Sequence, residues 1–294
     1  MVNTLGAIMA FLGAFCWALA SIFYRKALVK FADPLIISML RIPLAITVLI
    51  LVALLNHKLI HVIKMLRNPY FMLFLLLATI LMNIFGDTLY LLAIRNVGVA
   101  IGFPLSTMYP LLVAILATVI LGEECGIRLV LGTVIAIAGV WLLSKNERDL
   151  NTSTSRFLVG IMAGVGAALS FSLGIIFFRI TVTEADPIAT AIIKLILLFI
   201  MLLPYVLFKH DSIKNLDTKT AKLTIIGGAI GLGIGDWLFY IGLSKIGAGP
   251  AATIAVSSPM FSVLLAMSIL REKVSITQFV GVIMIVAGIL LSIY

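Results

Sequence analysis

Four ionisable side chains stand inside long apolar runs: Arg41, Asp87, Lys194 and Asp236. A charge at the centre of a membrane-spanning helix costs about 3 kcal/mol on insertion scales, so each needs a partner or a water-lined cavity. Arg41 is seven residues past Pro34 and Asp87 seven before Ile94. At ~1.5 Å per residue both therefore lie about 10 Å from one membrane face. The same counting gives Lys194 and Asp236 a shared depth near the opposite face. Arg41 is expected to pair with Asp87, and Lys194 with Asp236. Such pairs either pin helices together or line a solute path and re-form alternately.

Pro110 and Pro259 each sit near the middle of an apolar stretch and remove a helix hydrogen bond, freeing the carbonyls of Ser106 and Ala255. Interruptions at matching positions in two halves of a chain point to a solute site. Ser106, Thr107, Tyr109, Ser257 and Ser258 stand beside these prolines and offer polar contacts, while Trp17, Phe171, Tyr90 and Tyr240 offer aromatic walls. With the four charged residues they make up the candidate site.

Other patterns carry less. Gly233-Ile234-Gly235-Asp236 has the G-x-G-D form of intramembrane aspartyl proteases, with Asp87 as a second carboxylate. A proteolytic dyad shares one proton across ~3 Å, whereas counting separates these acids by roughly 10 Å in depth. Gly227, Gly231 and Gly235 recur every four residues and form a small-residue face for close helix contact. Glu123 and Glu272 are expected to accept backbone N–H bonds at the N-termini of the apolar stretches that follow them. His57 and His61 have a spacing that can hold a metal, but no third ligand is near. Cys16 and Cys125 form no disulfide framework, and no phosphate-binding G-x-x-x-x-G-K-[ST] run occurs. No metal or cofactor is expected.

The elements that must position these residues follow from composition. Of 294 residues, 63% are hydrophobic and 11% charged, with a mean hydropathy of +1.24. That excludes a water-soluble globule. A spanning helix takes ~20 apolar residues, and apolar stretches bounded by charge lie near 5–24, 34–55, 70–94, 99–121, 127–144, 158–178, 187–208, 222–243, 249–270 and 275–293. The first lacks the basic start of a secretory signal and is read as a retained span. Residues 56–68 place Leu59, Ile60, Ile63 and Leu66 opposite His57, Lys58, His61 and Lys64, the pattern of an interfacial helix. The formal charge of +9 belongs to membrane faces, and nucleic acid is not an expected partner. Thirteen Lys and Arg residues fall in connections 1–2, 3–4, 5–6, 7–8 and 9–10, against six in the others. The positive-inside rule then makes those connections cytoplasmic and both termini external.

The chain repeats itself. Residues 86–145 lie over 235–294 at a constant offset of 149, pairing Gly98 with Gly247, Pro110 with Pro259, Glu123 with Glu272 and Gly132 with Gly281. Residues 6–25 lie over 160–179, with Trp17 against Phe171, and Ala32-Asp33-Pro34 over Ala185-Asp186-Pro187. The expected fold is all-α and integral to the membrane: ten spans as two five-helix repeats, residues 1–145 and 158–294, joined by a linker at 146–157. Five is odd, so the second repeat crosses in the opposite sense.

Two five-span halves, a Trp in span 1, Arg41 after an Asp-Pro entry, a Pro-centred span 4 and Leu-Gly-Glu at its end resemble the EamA-type branch of the drug/metabolite transporter superfamily. The resemblance covers essentially the whole chain and departs from the family where Lys194 aligns with Arg41. It implies a carrier for a small metabolite, often an amino acid exporter, with a central cavity between the halves. Span 1 holds no Asp or Glu, unlike the small multidrug resistance branch. The expectation is a multi-pass carrier of the cell membrane, functional as a monomer, whose partners are a small-molecule substrate and the lipid bilayer. An intramembrane enzyme needs its acids brought together, and a channel needs a continuous polar stripe along several spans.

Overall fold

The computed structural model of the chain describes residues 3–30, 34–144, 154–209, 218–269 and 275–293. Every regular element is helical, with no strand among the described residues. Among the described residues ten helices are long and apolar enough to cross a membrane: Thr4–Phe23, Leu35–Leu55, Pro69–Val97, Ile101–Leu121, Ile127–Ser144, Thr154–Glu184, Pro187–Phe208, Thr218–Ile246, Ala248–Ile269 and Ile276–Ile293, here spans 1 to 10. Asn68 opens span 3 by accepting the Phe71 N–H at 3.1 Å, and Asp186 opens span 7 by accepting that of Ile188 at 3.0 Å. Both are followed by proline, whose fixed φ suits a first helical turn. Between spans 2 and 3 the short helix Leu59–Leu66 buries Val62 and exposes Ile60, Ile63 and Leu66, as an interfacial helix does.

Spans 3, 6 and 8 run longer than the apolar stretches read from sequence, at 29, 31 and 29 residues. Arg95, Arg156, Arg179, Lys222 and Lys245 bounded those stretches, yet the helices wind on past them. At ~1.5 Å per residue these helices exceed the ~30 Å hydrocarbon core, so their charged ends lie beyond it.

The elements of the two halves correspond at the offset of 149. Span 4 breaks into Val99–Ser106 and Tyr109–Leu121, and span 9 into Ala248–Ala255 and Ser257–Ile269. Pro110 and Pro259 therefore stand in the first turn of the second half-helix, where a missing N–H costs nothing. The expected kinks are full interruptions. Spans 3 and 8 each contain a seven-residue π-wound stretch, Ile80–Gly86 and Ala229–Gly235, placed immediately before Asp87 and Asp236. Neither was foreseen.

Packing crosses between halves. Span 1 lies on spans 8 and 9, and span 6 on spans 3 and 4. A Cβ on Gly6 would sit 2.6 Å from Ile246 Cγ2, and the aligned Gly160 packs as closely on Val97. Spans 5 and 10 pack on each other: a Cβ on Gly132 would collide with the Gly288 carbonyl, and one on Gly139 would stand 2.6 Å from that of Gly281. The numbers rise along one helix as they fall along the other, so these two aligned spans are antiparallel. Residues 188–195 of span 7 are all buried, while Ile115, Val119, Leu131, Leu158, Met162 and Leu290 project outward as lipid-facing residues must.

Gly132→Val is expected to cost more than about 3 kcal/mol, because the added carbons meet backbone that cannot move aside. Gly126→Ala, where a Cβ meets open space, should stay within about 0.5 kcal/mol of the parent. Thermal unfolding in detergent separates the two; equal midpoints would contradict the packing.

Candidate functional site

A cavity of about 300 Å³ lies among spans 1, 2, 3, 6, 7 and 8. Arg41, Asp87, Lys194 and Asp236 all line it, together with Trp17, Phe171, Phe178, Phe239 and Tyr240. Leu35, in the first turn of span 2, marks its extent toward the face of connection 1–2. Its floor is Phe178 against Tyr240, with ring centroids 5.0 Å apart.

Asp236 is held by two donors. Trp17 Nε1 donates to its Oδ1 at 2.7 Å, and Lys194 Nζ donates to its Oδ2 at 2.6 Å. Lys194 is 2% exposed and Asp236 7%, so this ion pair lies out of water, where only close geometry and added hydrogen bonds offset desolvation. Local sequence makes the approach possible. A Cβ on Gly235 would stand 3.0 Å from Trp17 Cδ1, and one on Gly13 2.8 Å from the Gly235 carbonyl oxygen. The Asp236 N–H reaches back five residues to the Gly231 carbonyl, as the Asp87 N–H does to that of Met82. This winding fixes the direction in which each acid leaves its helix. With both oxygens of Asp236 held by cationic and indole donors, the shared proton of a proteolytic dyad has no place there.

Immediately below the floor helix ends are tied together. Arg179, next after Phe178, donates from Nε to Glu123 Oε1 at 2.7 Å and from Nη1 to the carbonyls of Leu243 and Ser244 at 2.9 and 2.8 Å. Glu123 Oε2 accepts the Ala248 N–H at 2.7 Å. One knot thus joins the ends of spans 4, 6 and 8 to the start of span 9. Nearby, Lys58 Nζ meets Asp186 Oδ2 at 2.6 Å, tying the interfacial helix to span 7. Glu123 had been expected to serve span 5. It serves span 9 instead, because the crossed packing sets the end of span 4 over that helix. Glu272 lies outside the described residues.

Of the candidate residues, Trp17, Arg41, Asp87, Phe171, Lys194, Asp236 and Tyr240 face the cavity. Lys194 and Asp236 form the expected pair. Arg41 and Asp87 share the cavity, but no ion pair joins them among the described residues. All four charges line the one cavity. Tyr90, Ser106, Thr107, Tyr109, Pro110, Ser257, Ser258 and Pro259 are not among its lining residues. Tyr109 stands behind Phe171 with ring centroids 6.0 Å apart, and Tyr90 packs on Phe103. Ser106 Oγ bonds the Gly102 carbonyl at 2.9 Å, and Ser257 is fully buried. Sequence reading missed Ser38, Met82, Asn83, Phe178 and Phe239. For Ser38 and Asn83 a signal existed, since they stand three and four residues before Arg41 and Asp87.

Comparison with known proteins decides the class. The sequence matches the EamA-like transporter family over residues 4–145 and 158–294. The chain belongs to that family. An uncharacterized transporter of Archaeoglobus fulgidus is 25% identical over 97% of this chain and 96% of its own. The uncharacterized transporter YwfM of Bacillus subtilis is 23% identical over 69% of this chain and 67% of its own. A solved crystal structure shares the fold, with a TM-score of 0.80 at 15% identity over 98% of this chain and 96% of that one. This EamA-like protein is accordingly a multi-pass integral membrane protein of a transporter family, and no group of three metal-ligating side chains occurs among its described residues.

The buried pair is open to a double-mutant cycle. Lys194→Met leaves Asp236 uncompensated and is expected to cost about 3–5 kcal/mol. Adding Asp236→Leu should recover part of that loss, with a coupling above about 1 kcal/mol in thermal unfolding. Additive losses would contradict the pairing.

Proposed function

We propose that the protein is a secondary carrier moving a small zwitterionic or amphipathic metabolite, an amino acid or a similar solute, by alternating access. The observation that carries this reading is the cavity: two positive and two negative side chains with aromatic walls, extending toward one face and tied shut at the other. Balanced charges suit a solute bearing both signs. The antiparallel contact of the aligned spans 5 and 10 supports two inverted halves, with repeats at 1–145 and 158–294, that rock about the cavity. The breaks in spans 4 and 9, at Pro110 and Pro259, supply points where such helices flex. Behind the walls, Ser106, Thr107, Tyr109, Ser257 and Ser258 line those hinges.

The basic excess of the connections supports export. With connections 1–2, 3–4, 5–6, 7–8 and 9–10 cytoplasmic by their basic excess, the cavity opens to the cytoplasm and both termini are external. A site that loads from the cytoplasm suits an exporter of the cell membrane, and one chain holds the whole cavity, so a monomer suffices.

Purified protein in liposomes loaded with a panel of labelled amino acids and sugars, with and without a pH gradient, tests the reading. Saturable efflux of at least one amino acid is expected. Pro110→Ala and Pro259→Ala should lower turnover at least several-fold with little change in apparent affinity or stability. Efflux that rises linearly with concentration would indicate a channel, and no efflux of any solute in the panel would remove the assignment.

A further inference from the structure

The two halves place different chemistry at the same address. At the offset of 149, Asn83 aligns with Leu232 and Asp87 with Asp236, and all four line the cavity. In the second half the acid is fully used, one oxygen by Trp17 and the other by Lys194. In the first half the residue aligned with Trp17 is Phe171, which has no N–H to give. The Asp87 side chain is exposed within the cavity, and its carboxylate enters none of the ion pairs found among the described residues. One turn earlier, the side-chain oxygen of Asn83 is buried without a hydrogen-bond partner. Leaving a buried acceptor unsatisfied costs about 1–3 kcal/mol, so such a group calls for a donor within its reach. The two adjacent acceptors lack only a donor.

We propose that Asn83 and Asp87 form the subsite that receives the primary ammonium group of the substrate. The proposal rests on the carrier reading above and adds the residues and the polarity of binding. An ammonium carries three N–H donors and one positive charge, which one carboxylate and one amide oxygen match. A hard metal cation takes six or more oxygens, and this wall does not present them. The terminal torsion of asparagine is soft, so its amide turns the oxygen into the cavity as the ammonium arrives. Arg41 on span 2 supplies the positive side of the same cavity, so a zwitterion lies with its ammonium toward span 3 and its carboxylate toward span 2. Phe171, whose ring lies 2.5 Å from where a Cβ on Gly86 would stand, walls the apolar remainder. Asp236 does not compete, being neutralised by Lys194.

The test uses three probes of one shape: L-leucine, isopentylamine, which keeps only the ammonium, and 4-methylpentanoate, which keeps only the carboxylate. Binding to the full-length protein in detergent is measured by titration calorimetry for the parent, Asn83→Leu, Asp87→Asn and Asn83→Asp. Isopentylamine and L-leucine should weaken at least tenfold in Asn83→Leu and Asp87→Asn, while 4-methylpentanoate binds all forms alike. Asn83→Asp should tighten isopentylamine, an effect that a merely structural asparagine does not produce, and it decides the matter should Asn83→Leu fail to fold. Unchanged isopentylamine binding in the variants, an equal loss for 4-methylpentanoate, or no binding of isopentylamine to the parent would each overturn the subsite. If the parent carries amino acids across liposomes while the variants bind amines normally, the subsite falls and the carrier reading stands.

Discussion

A carboxylate and an ammonium held out of water within a membrane protein persist together or not at all, and the pairing of Asp236 with Lys194 sets the terms for the rest of this structure. The pair joins spans 7 and 8, and the Trp17 indole brings in span 1 from the other half. Glycine at 13 and 235 lets those helices approach closely enough for the indole to reach. The π-wound stretch before Asp236 sets the angle at which the carboxylate leaves span 8. Removing either charge exposes the other to a medium that cannot solvate it.

The stretches that align at the offset of 149 give the two sides of the cavity different properties. The same π-winding precedes Asp87, and Gly86 meets Phe171 much as Gly235 meets Trp17. The phenylalanine side chain has no N–H, however, so the first-half acid is left to the cavity while the second-half acid is locked. The closed end shows a parallel division of labour, since Arg179 and Glu123 draw four helix ends together directly beneath the Phe178–Tyr240 floor. The knot thus lies at the end of the cavity away from Leu35.

Much of the fold was legible because membrane helices obey one strong constraint: backbone polar groups must be satisfied within the segment, so apolar length alone reveals a span. The ten spans, the duplication at an offset of 149 and the Lys194–Asp236 pair all follow from such patterns. The rotation of each helix was not legible. Counting at ~1.5 Å per residue gives depth along a helix but not the side a residue faces, and the π-wound stretches before Asp87 and Asp236 turn those acids by an amount that no count shows. Asn83 was passed over because an amide within an apolar run carries no charge to draw notice. Glu123 was assigned to span 5 because adjacency in sequence outweighed the crossed packing, which only long-range contacts reveal.

The central claim is that one cavity is reached from each side of the membrane in turn. With Cys16 and Cys125 replaced by alanine, Met82→Cys places a single thiol on the cavity wall near the middle of span 3. Its reaction with a membrane-impermeant thiol reagent is then followed from each side of sealed vesicles. At rest, labelling is expected only from the face of connection 1–2, and during turnover under a substrate gradient it should appear from the opposite face while the first rate falls. Labelling from both faces at rest, or from one face under every condition, would contradict alternating access.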